Sequence, residues 1–367
     1  MTPITIETKK IDLHDRKPVE SDAYFPLFDW LRFAMASLVL ASHSGLLPSY
    51  EHAGNFGVQV FFALSGWLIG GILLRIKKEQ LPKFYFNRVV RIWVPYYLAF
   101  LFLILASLLH DKQIGLKWLE FVCYKATFVW NIFGTPQLNA AIDKMPLKGT
   151  GNHFWSVNLE EQFYLIVPFF LVLLPRLGRN LLLWGLFASI ACSFGSNSAA
   201  VVLGVFFAVL HEKIPYFHLR SPWRLIILLV LVISSILIFI TDYYFKIAPI
   251  AGATIVLLLA VPGKKSAAGG LFGGLSYQLY LNQWIGGFFV QATFLTLGLS
   301  KTNFLVMPLS IVFDIFLAGG LYIFIDRKLL AARSRLYTPT IGKSAMITGY
   351  VTVTTGLVFG SALKMFP

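Results

Sequence analysis

Acidic side chains are scarce in this chain. Asp and Glu number 17 among 367 residues against 31 Lys and Arg, and charged residues of both signs make up only 13%. Charged residues reach roughly a quarter of an ordinary soluble domain. With 57% hydrophobic residues and a mean hydropathy of +0.71, a soluble fold is excluded. The apolar runs are continuous and do not alternate with polar residues, which excludes a transmembrane β-barrel and leaves apolar helices. Cysteine is nearly absent. Cys123 and Cys192 lie in separate apolar segments without partner spacing, so neither a disulfide framework nor a thiolate metal site is indicated. His43 and His153 lack any compact ligand spacing, and no metal is expected. The balance of +14 could suggest nucleic acid, but basic residues in a membrane chain first report orientation, so a nucleic-acid partner is not expected.

Many apolar runs approach the roughly 20 residues that a bilayer-spanning helix needs. The fold class is therefore all-α, a polytopic membrane helical bundle of about 10 to 12 transmembrane helices with one re-entrant segment. Residues 1–26 read as a polar cytoplasmic segment and 27–367 as a single transmembrane domain, without clear internal repeats. Residues 1–24 show no basic-then-apolar signal with a cleavage site, so the first helix is expected to be an uncleaved anchor. Lys9, Lys10, Arg16 and Lys17 precede a span at 27–47, and only Glu51 follows it, which predicts a cytoplasmic N-terminus. Spans are expected at 56–74, up to 109, at 153–175, 224–241, 247–262, 271–296, 304–325 and 345–363, with a hairpin at 181–195 and 199–211. The short run 118–133 is read as re-entrant and the loop 134–151 as external, which keeps Arg176 and Arg179 inside with Lys78 and Arg335.

The run Phe28 to His43 carries Asp29, Arg32 and His43. Ionisable groups inside a membrane helix are expensive and mark a functional path or a bundle interior. Arg32 and His43 are eleven residues apart, about three turns, so they share a face roughly 16 Å apart along the axis. Asp29 can neutralise Arg32 as an i,i+3 pair, leaving His43 as the titratable group further along. The same residues also fit interfacial anchors and a satisfied bundle histidine. Arg88 and Arg91 share a helical face and could clamp phosphate as forks, or act only as orientation anchors. His43, Gln59, Asn152, His153, Glu160 and Glu161 are expected at the opposite end from Arg32, Arg88 and Arg91. Ser156, Glu160 and Tyr164 make a polar stripe on one helix face, with Glu161 about 100° away.

Five stretches together resemble acyltransferase family 3, integral-membrane enzymes that acylate hydroxyls of O-antigens, Nod factors, peptidoglycan and some antibiotics. Leu27-Phe-Asp-Trp-Leu-Arg-Phe-Ala to His43 resembles the family's Asp-x-x-Arg with a following His. Gly57 to Ile69 resembles Gly-Val-x-x-Phe-Phe-x-Leu-Ser-Gly-x-Leu-Ile, and Arg88-Val-Val-Arg91 resembles Arg-x-x-Arg. Trp155-Ser-Val-Asn-Leu-Glu-Glu-Gln-Phe-Tyr-Leu resembles Trp-Ser-Leu-x-x-Glu-x-x-Phe-Tyr, and Leu275-Ser-Tyr-Gln-Leu-Tyr-Leu resembles the late Ser-Tyr-x-x-Tyr-Leu block. Two positions depart. Asn282-Gln283-Trp284 stands where the late block often continues to a histidine, and Gln59 stands where many relatives have Asp.

The resemblance implies a stand-alone enzyme of the bacterial inner membrane that moves an acyl group, acetyl from cytoplasmic acetyl-CoA, to a hydroxyl of a cell-envelope or lipid-linked glycan outside. Arg88, Arg91 and Arg32 would bind the donor, and His43 with Glu160 would do the chemistry, by direct attack or a transient acyl-histidine. Gln59, Ser156, Glu161 and Tyr164 would contact the substrate. A transporter or flippase of a lipid-linked saccharide, working the same cavity without chemistry, is the competing reading. Membrane lipid is the other expected partner, and the oligomeric state is open.

Overall fold

A computed structural model describes residues 24–47, 52–111 and 114–365. Lys9, Lys10, Arg16, Lys17 and Glu51, on which the expected sidedness leans, lie outside these residues. The described residues are mostly helical, with no strand among them. Among the described residues six helices are long and apolar enough to cross a membrane, while Leu181–Ser193, Tyr244–Leu259 and Ile285–Thr296 are apolar but shorter.

Helix α1 (Pro26–His43) opens with proline at its first position, where the missing N–H costs nothing, and with Asp29 in its first turn, where the helix dipole favours an acid. It stops at His43, and Gly45 follows with φ +82°, a conformation that glycine adopts freely. Helix α2 (Ala53–Arg75) packs backbone to backbone on a later helix of the hairpin. A Cβ on Gly66 would stand 2.1 Å from the Val201 carbonyl, and one on Gly204 would stand 2.3 Å from that of Ala63. Small residues replace the hydrophobic effect as the cause of close packing where the surroundings are themselves apolar.

Helix α3 (Lys78–His110) carries a π-helical turn at Val89–Trp93, which ends two residues before Pro95. Proline has no N–H to offer the Arg91 carbonyl four residues back, so the α ladder loosens where Arg88 and Arg91 sit. The expected re-entrant run folds as α4 (Leu116–Ala126) and a single turn at Trp130–Phe133, parted at Phe128 with φ +56°. Neither piece is long enough to cross a bilayer. Lys125 ties this region to the next loop: its ammonium is fully buried, donates to the Gly151 carbonyl at 2.9 Å and lies 3.6 Å from the Trp130 ring centre.

The chain continues as α5 (Phe154–Leu173), the hairpin α6 (Leu181–Ser193) and α7 (Ala199–Lys213), then α8 (Ser221–Ile240) and α9 (Tyr244–Leu259). Of α8 only Ile227 and Ser234 are buried, and Leu225, Leu229 and Phe239 face outward. Such an apolar exterior fits lipid and not water. The single span expected at 271–296 is two helices, α10 (Ala267–Asn282) and α11 (Ile285–Thr296), broken at Gln283 and Trp284. The break has a cause outside its own sequence. The Gly286 N–H donates to Asp314 Oδ1 at 2.7 Å, so α12 (Val306–Leu336) caps the new helix from the side. Helix α13 (Pro339–Met365) ends the described chain, and one apolar core reaches from Phe28 to Val353.

Candidate functional site

Helix α1 takes its two polar ends into two different cavities. Near its start, Asp29 and Arg32 line a cavity of about 420 Å³ together with Arg88, Arg91, Glu160, Lys265 and Asp326. Near its end, His43 lines a second cavity of about 1120 Å³ with Asn55, Asn152, His153, Trp155 and Gln283. Val58 and Tyr280 border both. The arginine cavity and the histidine cavity thus share a wall inside the bundle.

Four cationic and three carboxylate side chains line the arginine cavity, so its formal balance is positive. Asp29 and Arg32 form an ion pair at 3.1 Å, the i,i+3 geometry of their spacing. Tyr24 also donates to the Asp29 carboxylate, and the Tyr24 hydroxyl is pushed up to about 12 by desolvation and by that bond, so it stays a donor near neutral pH. With Arg32 matched by Asp29, the guanidinium of Arg88 is held by ring faces. It lies 5.7 Å from the centres of Phe84 and Tyr164, and its Nε is buried without a hydrogen-bond partner. Arg91 remains exposed in the cavity wall. An arginine with unclaimed donors beside a second one suits an anion with several oxygens.

Glu160 is placed differently from the sequence expectation. It lines the arginine cavity, where its carboxylate accepts from Ser65 at 2.5 Å and from the Tyr164 hydroxyl. Six residues of helix separate it from Phe154, so it lies about 9 Å deeper than the loop that carries His153. Ser156 and Tyr164 line this cavity too. Gln59 and Glu161 line neither cavity. Both are buried, Gln59 donating to Asn55 at 3.3 Å, so contact with a substrate in either cavity needs their neighbours to move.

In the histidine cavity the His43 ring stays exposed, and its Nδ1 lies 3.1 Å from Gln283 Oε1. The ring centre of His153 is 6.2 Å away. His153 bonds through Nε2 to the Leu281 carbonyl at 3.1 Å, and its own carbonyl accepts from Tyr280 at 2.9 Å. Ser156 Oγ and the Tyr280 hydroxyl are 2.5 Å apart at the common wall. The last turn of α10 therefore holds both histidines. Sequence reasoning missed Ser65, Lys265, Tyr280 and Asp326, which lie on four separate stretches and meet only in the fold. For Tyr280 and Ser65 the quoted motif blocks were a signal; for Lys265 and Asp326 there was none. No group of three or more metal-ligating side chains occurs among the described residues.

The family model described as an acyltransferase domain matches residues 25–323. The chain is 32% identical over 168 residues to peptidoglycan O-acetyltransferase OatA of Listeria monocytogenes, a match covering 44% of this chain and 26% of that protein. It is 29% identical over 166 residues to the putative peptidoglycan O-acetyltransferase YrhL of Bacillus subtilis, covering 41% of this chain and 24% of the relative. A putative O-acetyltransferase of Staphylococcus aureus strain COL is 28% identical over 175 residues, covering 44% and 28%. The matches thus take in about a quarter of the length of these curated relatives. No solved structure matches the chain.

Proposed function

The chain belongs to the acyltransferase family whose domain model it matches, and from that premise we propose that it is a membrane O-acyltransferase moving an acetyl group from cytoplasmic acetyl-CoA to a hydroxyl of a cell-envelope or lipid-linked glycan on the far side of the membrane. The observation that carries the proposal is that α1 brings Arg32 to one cavity and His43 to another with a common wall at Val58 and Tyr280. The names of the relatives, peptidoglycan O-acetyltransferase among them, support the acetyl group and the glycan class.

In this reading Arg88, Arg91 and Lys265 hold the phosphates of CoA, with Arg32 fixed beside them by Asp29. The pantetheine arm runs past Tyr280 and brings the thioester towards His43. A hydroxyl is a weak nucleophile at neutral pH, and a histidine that removes its proton contributes about 10² to 10⁴ in rate. The thioester C–S bond breaks, and the hydroxyl oxygen forms the new ester. Its proton passes by way of His43 to the departing CoA thiolate. A transient acyl-histidine divides the same balance into two steps. Glu160 acts from the arginine side by fixing Ser65 and Tyr164, and not as the base.

The test is acceptor-dependent release of free thiol from acetyl-CoA by the purified protein in lipid, with peptidoglycan fragments or a lipid-linked saccharide as acceptor. Release with acceptor, and an acetyl ester on the glycan, are expected. Tight acetyl-CoA binding without release over a range of such acceptors contradicts the proposal.

A further inference from the structure

The C-terminal end of α10 carries an amide that can choose the tautomer of His43. Gln283 is the first residue after α10 and is buried at 6% exposure. Its Nε2 lies 3.0 Å from the Tyr280 carbonyl. A backbone carbonyl can only accept, so the amide nitrogen must face it, and the amide oxygen is left towards His43. That oxygen lies 3.1 Å from His43 Nδ1 and can likewise only accept, so Nδ1 must carry the proton. His43 Nε2 is then the unprotonated nitrogen. It faces Gly54, where a Cβ would stand 4.0 Å away, and both residues line the histidine cavity.

We infer that Gln283 is a positioning residue for acyl transfer: it holds His43 in the tautomer whose Nε2 is free to take the acceptor's proton, and it fixes the plane of the ring. The kinetic part of the inference rests on the acyltransferase reading; the tautomer does not. Three features of the surroundings support it. The last turn of α10 presents its carbonyls to this spot, and the negative end of a helix dipole favours protons on facing imidazoles. His153 is bonded by the same turn in the opposite sense, through Nε2 to Leu281, so the two rings cannot share one proton by identical contacts. Among the described residues the Gln283 side chain makes the two hydrogen bonds just described. The role belongs to the position at which this chain departs from the motif it otherwise follows.

Two variants and two readouts separate positioning from mere packing. Gln283→Leu keeps the volume and removes the acceptor; Gln283→Glu keeps an oxygen acceptor. Per folded molecule, Gln283→Leu is expected to lose about 10²-fold in kcat with an unchanged KM for acetyl-CoA, and Gln283→Glu to recover to within about tenfold of the parent. Nitrogen-15 spectra of histidine-labelled protein, with His43 assigned through His43→Ala, should show the neutral ring protonated at Nδ1 in the parent and at Nε2 to a large extent in Gln283→Leu. A parent ring protonated at Nε2, or a Gln283→Leu protein with parental kcat, overturns the inference, as does loss in Gln283→Leu that appears only in the yield of folded protein. The expected tautomer in a parent that transfers no acetyl supports the positional assignment while removing the acyltransferase reading.

Discussion

A guanidinium and an ammonium carry the same charge but offer different geometry, and this makes the arginine cavity testable residue by residue. If Arg88 and Arg91 hold phosphate as planar forks, the Arg88→Lys, Arg91→Lys double variant binds acetyl-CoA about tenfold or more weakly, since a point charge cannot reproduce bidentate contacts. Calorimetric titration with acetyl-CoA measures it, and unchanged affinity would reduce the pair to orientation anchors. His43→Ala should behave in the opposite way. On the proposed mechanism it leaves donor affinity near the parent and removes about 10²-fold or more of acyl transfer, because the ring lines the cavity at the far end of α1 and would act in the transition state. Both quantities are read on the same purified protein, and parental turnover would place the base elsewhere. The Asp29 and Arg32 pair and the division between a basic and a histidine end were legible from spacing along single helices. The depth of Glu160 was not. Periodicity gives the face of a helix but not which neighbour stands against it, and Ser65 comes from 95 residues earlier.

At the scale of elements, the helix breaks adjoin the two cavities and the uninterrupted helices carry the packing. Pro95 loosens α3 where the arginines lie, and Asp314 caps the start of α11 just beyond Gln283. The first break was marked in the sequence by its proline. The second was hidden in an unbroken apolar run, and its cause is a carboxylate 28 residues away, so the run read as one span. The α2–α7 crossing gives a clean structural test. Gly66→Ala forces a Cβ to within 2.1 Å of a backbone oxygen and should destabilise the solubilised protein by about 1–3 kcal/mol. Gly71→Ala meets nothing within 4 Å and should leave the melting midpoint unchanged or slightly raised, since alanine is the better helix former. Equal melting of the two variants would mean that the crossing is looser than described.

For the whole molecule, the proposal requires the two cavities to face opposite sides of the membrane. Basic residues that follow the spans predict that reporters fused after Lys78 and after Arg335 lie on the cytoplasmic side, and a reporter in the loop 134–151 lies on the other. A cytoplasmic signal from that loop would bring α4 across the membrane and invert the histidine cavity. Membrane character was plain from composition, with only 13% charged residues, and the helical class from the continuous apolar runs. The common wall at Val58 and Tyr280 was not, since it joins α2 to α10 across more than two hundred residues. The central claim is that one bundle carries an acetyl group from the arginine cavity to the histidine cavity. Sealed proteoliposomes of defined orientation, with acetyl-CoA on the arginine side only and the glycan on the histidine side only, test it most directly. The account predicts acetylated glycan on one side and free CoA thiol retained on the other, both lost in His43→Ala; acetylation that requires donor and glycan on the same side would contradict it.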